Sequence, residues 1–209
     1  MRPLSRLRAG FLLLICSREA NAVDETPEVS GFPLVELCAG TKSTQCEIEF
    51  SSHDERLWAN GQEFRIKGVN WFGSEERHGV PYGLNEHPID YYMDFLKANG
   101  FNSLRLLFNH ESVIADAQVQ PSGIQKAQHL YGLSYLEMFA AIAERAASRG
   151  ILVAMACHRL RPDAWPGNGL WYDEYYLNEE SVMRSWELVA EALCKQWNVF
   201  AADLQNGAR

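Results

Sequence analysis

The sequence predicts an α/β fold, a parallel sheet whose short apolar strands alternate with amphipathic helices, and three observations carry that expectation. Apolar residues recur at helical spacing in three separate segments, two of them closed by a glycine. A short apolar run follows each of those segments, the length of a buried strand. The connection leaving the first strand is long and aromatic, and it carries neither a G-x-G-x-x-G turn nor a phosphate-binding lysine. Alternating strands and helices imply right-handed βαβ units, so the candidates are an open doubly wound sheet and a (β/α)₈ barrel.

Taken in order, the chain opens with Arg2, Arg6 and Arg8, an apolar run over residues 11–15, and the small-x-small tripeptide Ala20-Asn21-Ala22. That is the pattern of a secretory signal peptide, residues 1–22, and it predicts an extracellular protein. The apolar run is far shorter than the roughly 20 residues that span a bilayer, so no membrane anchor is expected. Residues 23–56 are acidic and broken by Pro27, Gly31, Pro33, Gly40 and Ser51-Ser52, which reads as an irregular leader. Within it Cys38 and Cys46 flank a short polar loop, and an oxidising compartment predicts a disulfide between them, two free thiols being the alternative. Cys157 and Cys194 fall inside periodic segments and read as buried thiols.

The α/β domain, open sheet or barrel, is expected over residues 57–209. Leu57-Trp58-Ala59 and Phe64-Arg65-Ile66 flank Asn60-Gly61, a dipeptide suited to a tight hairpin turn. Residues 66–71 form the first strand of the main sheet. Ile89, Tyr92, Met93 and Leu96 mark a helix over 88–99 that stops at Gly100, and residues 102–108 return as a strand. Ser134-x-x-Glu137 is a capping box, opening a helix with Leu136, Phe139, Ala140, Ala143 and Ala147 on one face and Gly150 at its end, before a buried strand at 151–157. Val182, Trp186, Val189, Leu193 and Trp197 stripe a third helix over 179–196, and residues 199–204 give a fourth strand.

Charge narrows the function. The chain carries a net charge of −8, and loss of residues 1–22 removes four arginines and one glutamate, leaving 15 basic against 26 acidic side chains and a net charge of −11. Such a surface repels nucleic-acid phosphates and anionic headgroups, which excludes nucleic acid and membrane as partners and suits a neutral substrate.

The candidate functional groups sit where strands end: Asn70-Trp71, Arg105, His158-Arg159, and the stretch from Asp203 to Asn206. Taken singly, a strand-borne arginine or a histidine beside a core strand is more often structural. As a set, Gly68-Val69-Asn70-Trp71-Phe72-Gly73-x-Glu75, His78-Gly79, Leu104-Arg105-Leu106, Cys157-His158-Arg159, Gly169-Leu170-Trp171-Tyr172 and Asp203-Leu204-Gln205-Asn206 resemble the cellulases of glycoside hydrolase family 5 in order and spacing. The likeness is greatest to endo-β-1,4-glucanases and runs over roughly residues 57–206. It implies the N-terminal half of a (β/α)₈ TIM barrel, about four strand-helix units, and retaining hydrolysis of β-linked polysaccharide by two glutamates without metal or cofactor.

Residue by residue, the resemblance makes Arg105 the arginine that orients the nucleophile, His158 the histidine that orients substrate or carboxylate, and Asn206 the asparagine that binds the sugar 2-hydroxyl. Trp71, His78, Trp165, Trp171 and Tyr172 become candidate substrate contacts, their ring faces matching the apolar faces of sugars. Tyr175 and Tyr176 in the same stretch read as packed inside the loop. The family continues Asn-Glu-Pro where this chain reads Asn206-Gly207-Ala208-Arg209, so neither catalytic carboxylate has a matching position and the chain alone is expected to be inactive. Glu75 and Glu76 match no catalytic position. A non-catalytic secreted carbohydrate-binding or decoy protein is the alternative reading.

Overall fold

A computed structural model describes residues 47–164 and 171–207. The signal segment, most of the leader with Cys38 and Cys46, and Trp165 lie outside the described residues.

The first sheet is antiparallel, with β1 (Phe50–His53), β2 (Arg56–Ala59) and β3 (Gln62–Phe64) in chain order. Asn60 and Gly61 turn between β2 and β3 at φ 49° and 75°, the left-handed pair a two-residue hairpin needs. β1 corrects the reading of residues 23–56 as irregular throughout. It pairs with β2 from Phe50↔Ala59 to His53↔Arg56, through a second two-residue turn at Asp54 and Glu55, both also at positive φ.

The main sheet is parallel: β4 (Gly68–Trp71), β5 (Ser103–Asn109), β6 (Leu152–Arg159) and β7 (Val199–Asp203), hydrogen-bonded as β4-β5-β6-β7. Strand order follows chain order with no reversal. A doubly wound sheet reverses at its switch point, whereas a barrel adds each strand beside the last, so this is a barrel segment.

Helices α1 (Ile89–Ala98), α3 (Tyr135–Ala147) and α4 (Glu179–Leu193) stand where periodicity placed them, except that α4 stops at Leu193, short of the expected 196, and Trp197 beyond it packs with the small-sheet core instead of the helix stripe. Ile89, Met93 and Leu96 of α1 are buried, and the capping box of α3 is complete: the Ser134 hydroxyl accepts from the Glu137 amide, and the Glu137 carboxylate accepts from the Ser134 amide. The buried face of α3 is broader than the stripe, with Met138, Ile142 and Ala146 also inside. An element without a sequence expectation, α2 (His110–Ala115), follows β5 directly. Asn109 caps it by accepting from the Ser112 amide at 2.8 Å, and Asp116, at φ 40°, ends it while accepting from the Leu136 amide. Residues 116–134 then cross the helical layer through two short 3₁₀ turns.

Two cores result. Leu104, Leu106 and Phe108 of β5 and Val153, Met155 and Cys157 of β6 face the helices and pack on Met93, Phe139, Ile142 and Leu193. Ala59, Phe64 and Leu152, with Phe50 and Phe200 against them, bind the small sheet to the N-terminal ends of β6 and β7. That plug closes the bottom of the sheet and leaves the C-terminal strand ends free. Cys157 is buried as expected, but Cys194 is exposed: it lies one residue past α4, beyond the stripe that faces the core.

Candidate active site

Arg105 organises the C-terminal end of the sheet. In a parallel sheet directly paired residues share a face, and Asn70 pairs with Arg105, Arg105 with Ala154, and Ala156 with Asp203. Asn70, Arg105 and Asp203 therefore point the same way, opposite to the helix-facing leucines of β5. The guanidinium uses its whole fork. Nη1 donates to Asn70 Oδ1 at 3.2 Å, Nε and Nη2 both donate to Asp203 Oδ2 at 3.1 and 2.5 Å, and Nη2 donates to Asn206 Oδ1 at 3.3 Å. Asn206 is itself fixed, since its amide donates to the Cys157 carbonyl at 2.9 Å and so carries the β7 ladder past the end of the strand. The adjacent thiol donates to Gln205 Oε1, and burial pushes its pKa far up, so Cys157 stays protonated and inert.

His158 follows on β6. Burial lowers its pKa, the nearby Glu75 opposes that shift, and Arg105 and Arg159 add to it, with Asp203 on the opposing side. Its Nδ1 is buried without a hydrogen-bond partner and lies 3.7 Å from Glu75 Oε1. Glu75 is 1% exposed, and its other oxygen accepts from the Gly73 amide at 2.6 Å. The next pair repeats the connection one residue on: Arg159 Nη2 donates to Glu76 Oε1 at 2.7 Å, and the Tyr82 hydroxyl donates to Glu76 Oε2 at 3.3 Å. The loop after β4 is thus joined to the end of β6 by the Glu76–Arg159 ion pair, with Glu75 lying beside His158.

The expected site residues divide accordingly. Arg105 and Asn206 are in contact, with Asn70 and Asp203 completing their cluster, and His158 lies within range of the same charges. Trp71 faces the other way, its indole N–H donating to the Tyr82 carbonyl at 2.9 Å and its ring packed on Tyr92 with centroids 5.0 Å apart. His78 stacks on Tyr82 at 5.0 Å, in a space left by the missing side chain of Gly123. Trp171 is 40% exposed and meets Tyr172 edge-on. Tyr175 and Tyr176 are 90% and 69% exposed, which overturns their reading as packed loop residues; Arg161 lies over the Tyr176 ring at 4.3 Å. Asp203 and Glu75 stand inside the quoted motifs, but nothing in the sequence assigned them these contacts. Among the described residues no group of three or more His, Cys, Asp or Glu side chains is placed to hold a metal ion.

The cluster is a preorganised set of donors and acceptors, cationic at its centre and balanced by one carboxylate. It is suited to orienting a polar neutral molecule, and the Arg105 cluster holds no second carboxylate to serve in acid-base work.

Comparison with known proteins identifies the family. The sequence profile of the Cellulase family (glycosyl hydrolase family 5) matches residues 57–207. An endoglucanase of Paenibacillus polymyxa is 30% identical over 153 residues, 70% of this chain and 36% of that protein. The major extracellular endoglucanase of Xanthomonas campestris pv. campestris is 26% identical over 147 residues, 70% of this chain and 30% of that protein. Among solved structures, the endocellulase of Pyrococcus horikoshii in complex with cellotetraose superposes with a TM-score of 0.69 and 33% identity, covering 78% of this chain and 44% of that one. The chain therefore spans about a third of the length of its curated relatives and less than half of this solved one.

Proposed function

Because this chain belongs to glycosyl hydrolase family 5, the cellulases, we propose that its 209 residues supply the substrate-orienting half of a secreted, retaining endo-β-glucanase site. The observation that carries this reading is the Arg105 fork shared by Asn70, Asp203 and Asn206 at the open end of a parallel barrel segment. A guanidinium fixed from three sides presents its charge without reorganising when substrate arrives. Asn206 contributes an amide suited to a sugar hydroxyl, a contact that strengthens as the ring takes on oxocarbenium character.

The substrate in this reading is a β-linked glucan, in keeping with the cellotetraose bound by the Pyrococcus horikoshii endocellulase. Secretion follows from the signal pattern of residues 1–22 and is in line with the extracellular Xanthomonas relative. Retaining hydrolysis needs one acid to protonate the leaving oxygen and one carboxylate to form the glycosyl intermediate. Gly207 follows Asn206 where the family resemblance calls for the acid, so these residues orient glucan but supply no acid at that position to cleave it.

The test is twofold. The chain from residue 23 onward is incubated with carboxymethylcellulose, barley β-glucan, laminarin and mannan, and reducing ends are measured; none are expected, and turnover overturns the assignment of inactivity. Cellotetraose is then titrated calorimetrically into the chain and into Arg105→Ala. Binding that Arg105→Ala abolishes supports the reading, and absence of binding to the unaltered chain refutes it.

A further inference from the structure

Substrate orientation by the Arg105 cluster makes no use of Glu75, yet Glu75 is the most deeply buried acid among the described residues and lies against the histidine at the end of β6. We propose that Glu75 is the positioning residue of His158, a carboxylate that takes the Nδ1–H of the imidazole and leaves Nε2 as an acceptor at the open end of the sheet.

Three observations carry this. The Nδ1 of His158 is buried with no hydrogen-bond partner, and its neighbouring acceptor is Glu75 Oε1 at 3.7 Å. A movement of roughly half an ångström brings that pair within hydrogen-bond range, and a buried polar atom left unpaired costs enough to favour the movement. Glu75 is held so that it can serve. Its Oε2 accepts from the Gly73 amide at 2.6 Å, its carbonyl accepts from Asn109 Nδ2 at 3.1 Å, and the neighbouring Ser74 donates to the Leu107 carbonyl and accepts from the Tyr135 hydroxyl at its own carbonyl, both at 2.6 Å. The carboxylate is thereby fixed between the loop after β4 and the end of β5, with one oxygen committed to the turn and the other aimed at the imidazole.

The chemistry follows from the tautomer. A neutral imidazole donates from one nitrogen and accepts at the other, and the partner of the first decides the role of the second. With Nδ1–H directed to Glu75, Nε2 is the acceptor. The other charged groups that act on the ring are Arg159 on β6, Arg105 on β5 and Asp203 on β7. The two arginines and burial disfavour imidazolium, so the neutral, accepting form is the one offered to ligand. On the glucan reading, that ligand group is a sugar hydroxyl; the tautomer itself does not depend on that reading.

The alternative is that Glu75 only fixes the Gly73 turn, and the experiment separates the two. Long-range ¹H–¹⁵N spectra of the uniformly ¹⁵N-labelled chain report the tautomer and titration of each histidine, with His158 assigned by its loss in His158→Gln. The Nδ1–H tautomer is expected. Glu75→Gln keeps an acceptor for Gly73 but removes the charge, and His158 should then titrate lower by roughly half a pH unit or more. Glu75→Ala should move the ring toward the Nε2–H form; where that variant does not fold, Glu75→Gln carries the test. An Nε2–H tautomer in the unaltered chain, or an unchanged His158 titration in Glu75→Gln, overturns the proposal. Cellotetraose added to the unaltered chain separates the readings: an Nδ1–H imidazole whose ¹⁵N shifts the sugar leaves unmoved keeps the positioning role and removes the glucan reading.

Discussion

Arg105 on β5 and Asp203 on β7 are joined across a strand that lies between them. The two residues are 98 apart in sequence, and their salt bridge passes over β6 at Ala154 and Ala156, the residues that pair with Arg105 and Asp203 on that face. Two methyl groups in succession leave the lane that the guanidinium needs. The site geometry thus depends on residues with no polar chemistry of their own.

Ala156→Leu closes that lane. Ala156 is fully buried, so a larger side chain there cannot be turned to solvent, and the Arg105–Asp203 bridge should be displaced together with the hydrogen bond to Asn206. Overpacking of this kind costs about 1–3 kcal/mol. Asp203→Ala should cost about 1 kcal/mol, since both partners keep about a quarter of their side-chain surface in water. Urea unfolding midpoints check both, and a smaller loss for Ala156→Leu than for Asp203→Ala would argue against the lane.

Gly73 fixes the loop that carries Glu75 and Glu76. Its φ is 119°, and a Cβ there would lie 2.6 Å from the Tyr82 ring and 2.7 Å from the Val80 carbonyl. Gly73→Ala combines backbone strain of about 1–3 kcal/mol with a collision against backbone that cannot turn aside. Gly61→Ala, at φ 75° in open space, meets no neighbour and should cost about 1 kcal/mol. Thermal unfolding of the two variants should rank them in that order, and only Gly73→Ala should break the hydrogen bond from Tyr82 to Glu76.

What was legible in the sequence was what local physics decides. The capping box of α3, the Asn60-Gly61 turn and the helical stripes are set by neighbours a few residues apart, and each stands where the pattern put it. β1 was hidden because its turn is Asp54-Glu55, which enters the left-handed region without a glycine, and because Ser51, Ser52 and His53 are all exposed, so no apolar alternation marks the period. α2 was hidden because six residues are too few to show periodicity. At the site, strand-end motifs identified Arg105, His158 and Asn206, but the partners Asp203 and Glu75 depend on register between strands and on the path of a loop. Trp71 shows the same limit: alternation along β4 sends Asn70 to the Arg105 face and Trp71 to the helices, and the motif alone does not say which.

The α3 cap offers a calibrated test of local stability. Ser134→Ala removes the acceptor for the Glu137 amide but leaves the Glu137 carboxylate to accept from the amide of residue 134. A loss of about 1 kcal/mol is expected. Equilibrium denaturation reads it directly, and amide exchange at Tyr135, Leu136 and Glu137 should rise more than exchange in α4.

His110 sets a pH dependence for the fold as a whole. It is fully buried on α2, with Nδ1 2.8 Å from the Ser185 hydroxyl, Nε2 unpartnered, and Phe108 and Trp186 edge-on around it. Burial pushes its pKa down to about 4. The unfolded chain binds this proton near pH 6.5 and the folded chain does not until about pH 4, so the neutral, buried ring contributes its full stability above pH 6.5. That contribution is lost as pH falls from about 6.5 toward about 4, by about 3 kcal/mol in total. His129 and His158 are shifted in the same direction by burial and add to the trend. His110→Gln keeps a donor for Ser185 and removes the titration. Unfolding free energies measured from about pH 7 to about pH 4 should therefore fall less steeply in His110→Gln than in the unaltered chain, the two curves converging toward acid; parallel curves would show that His110 is not the group responsible.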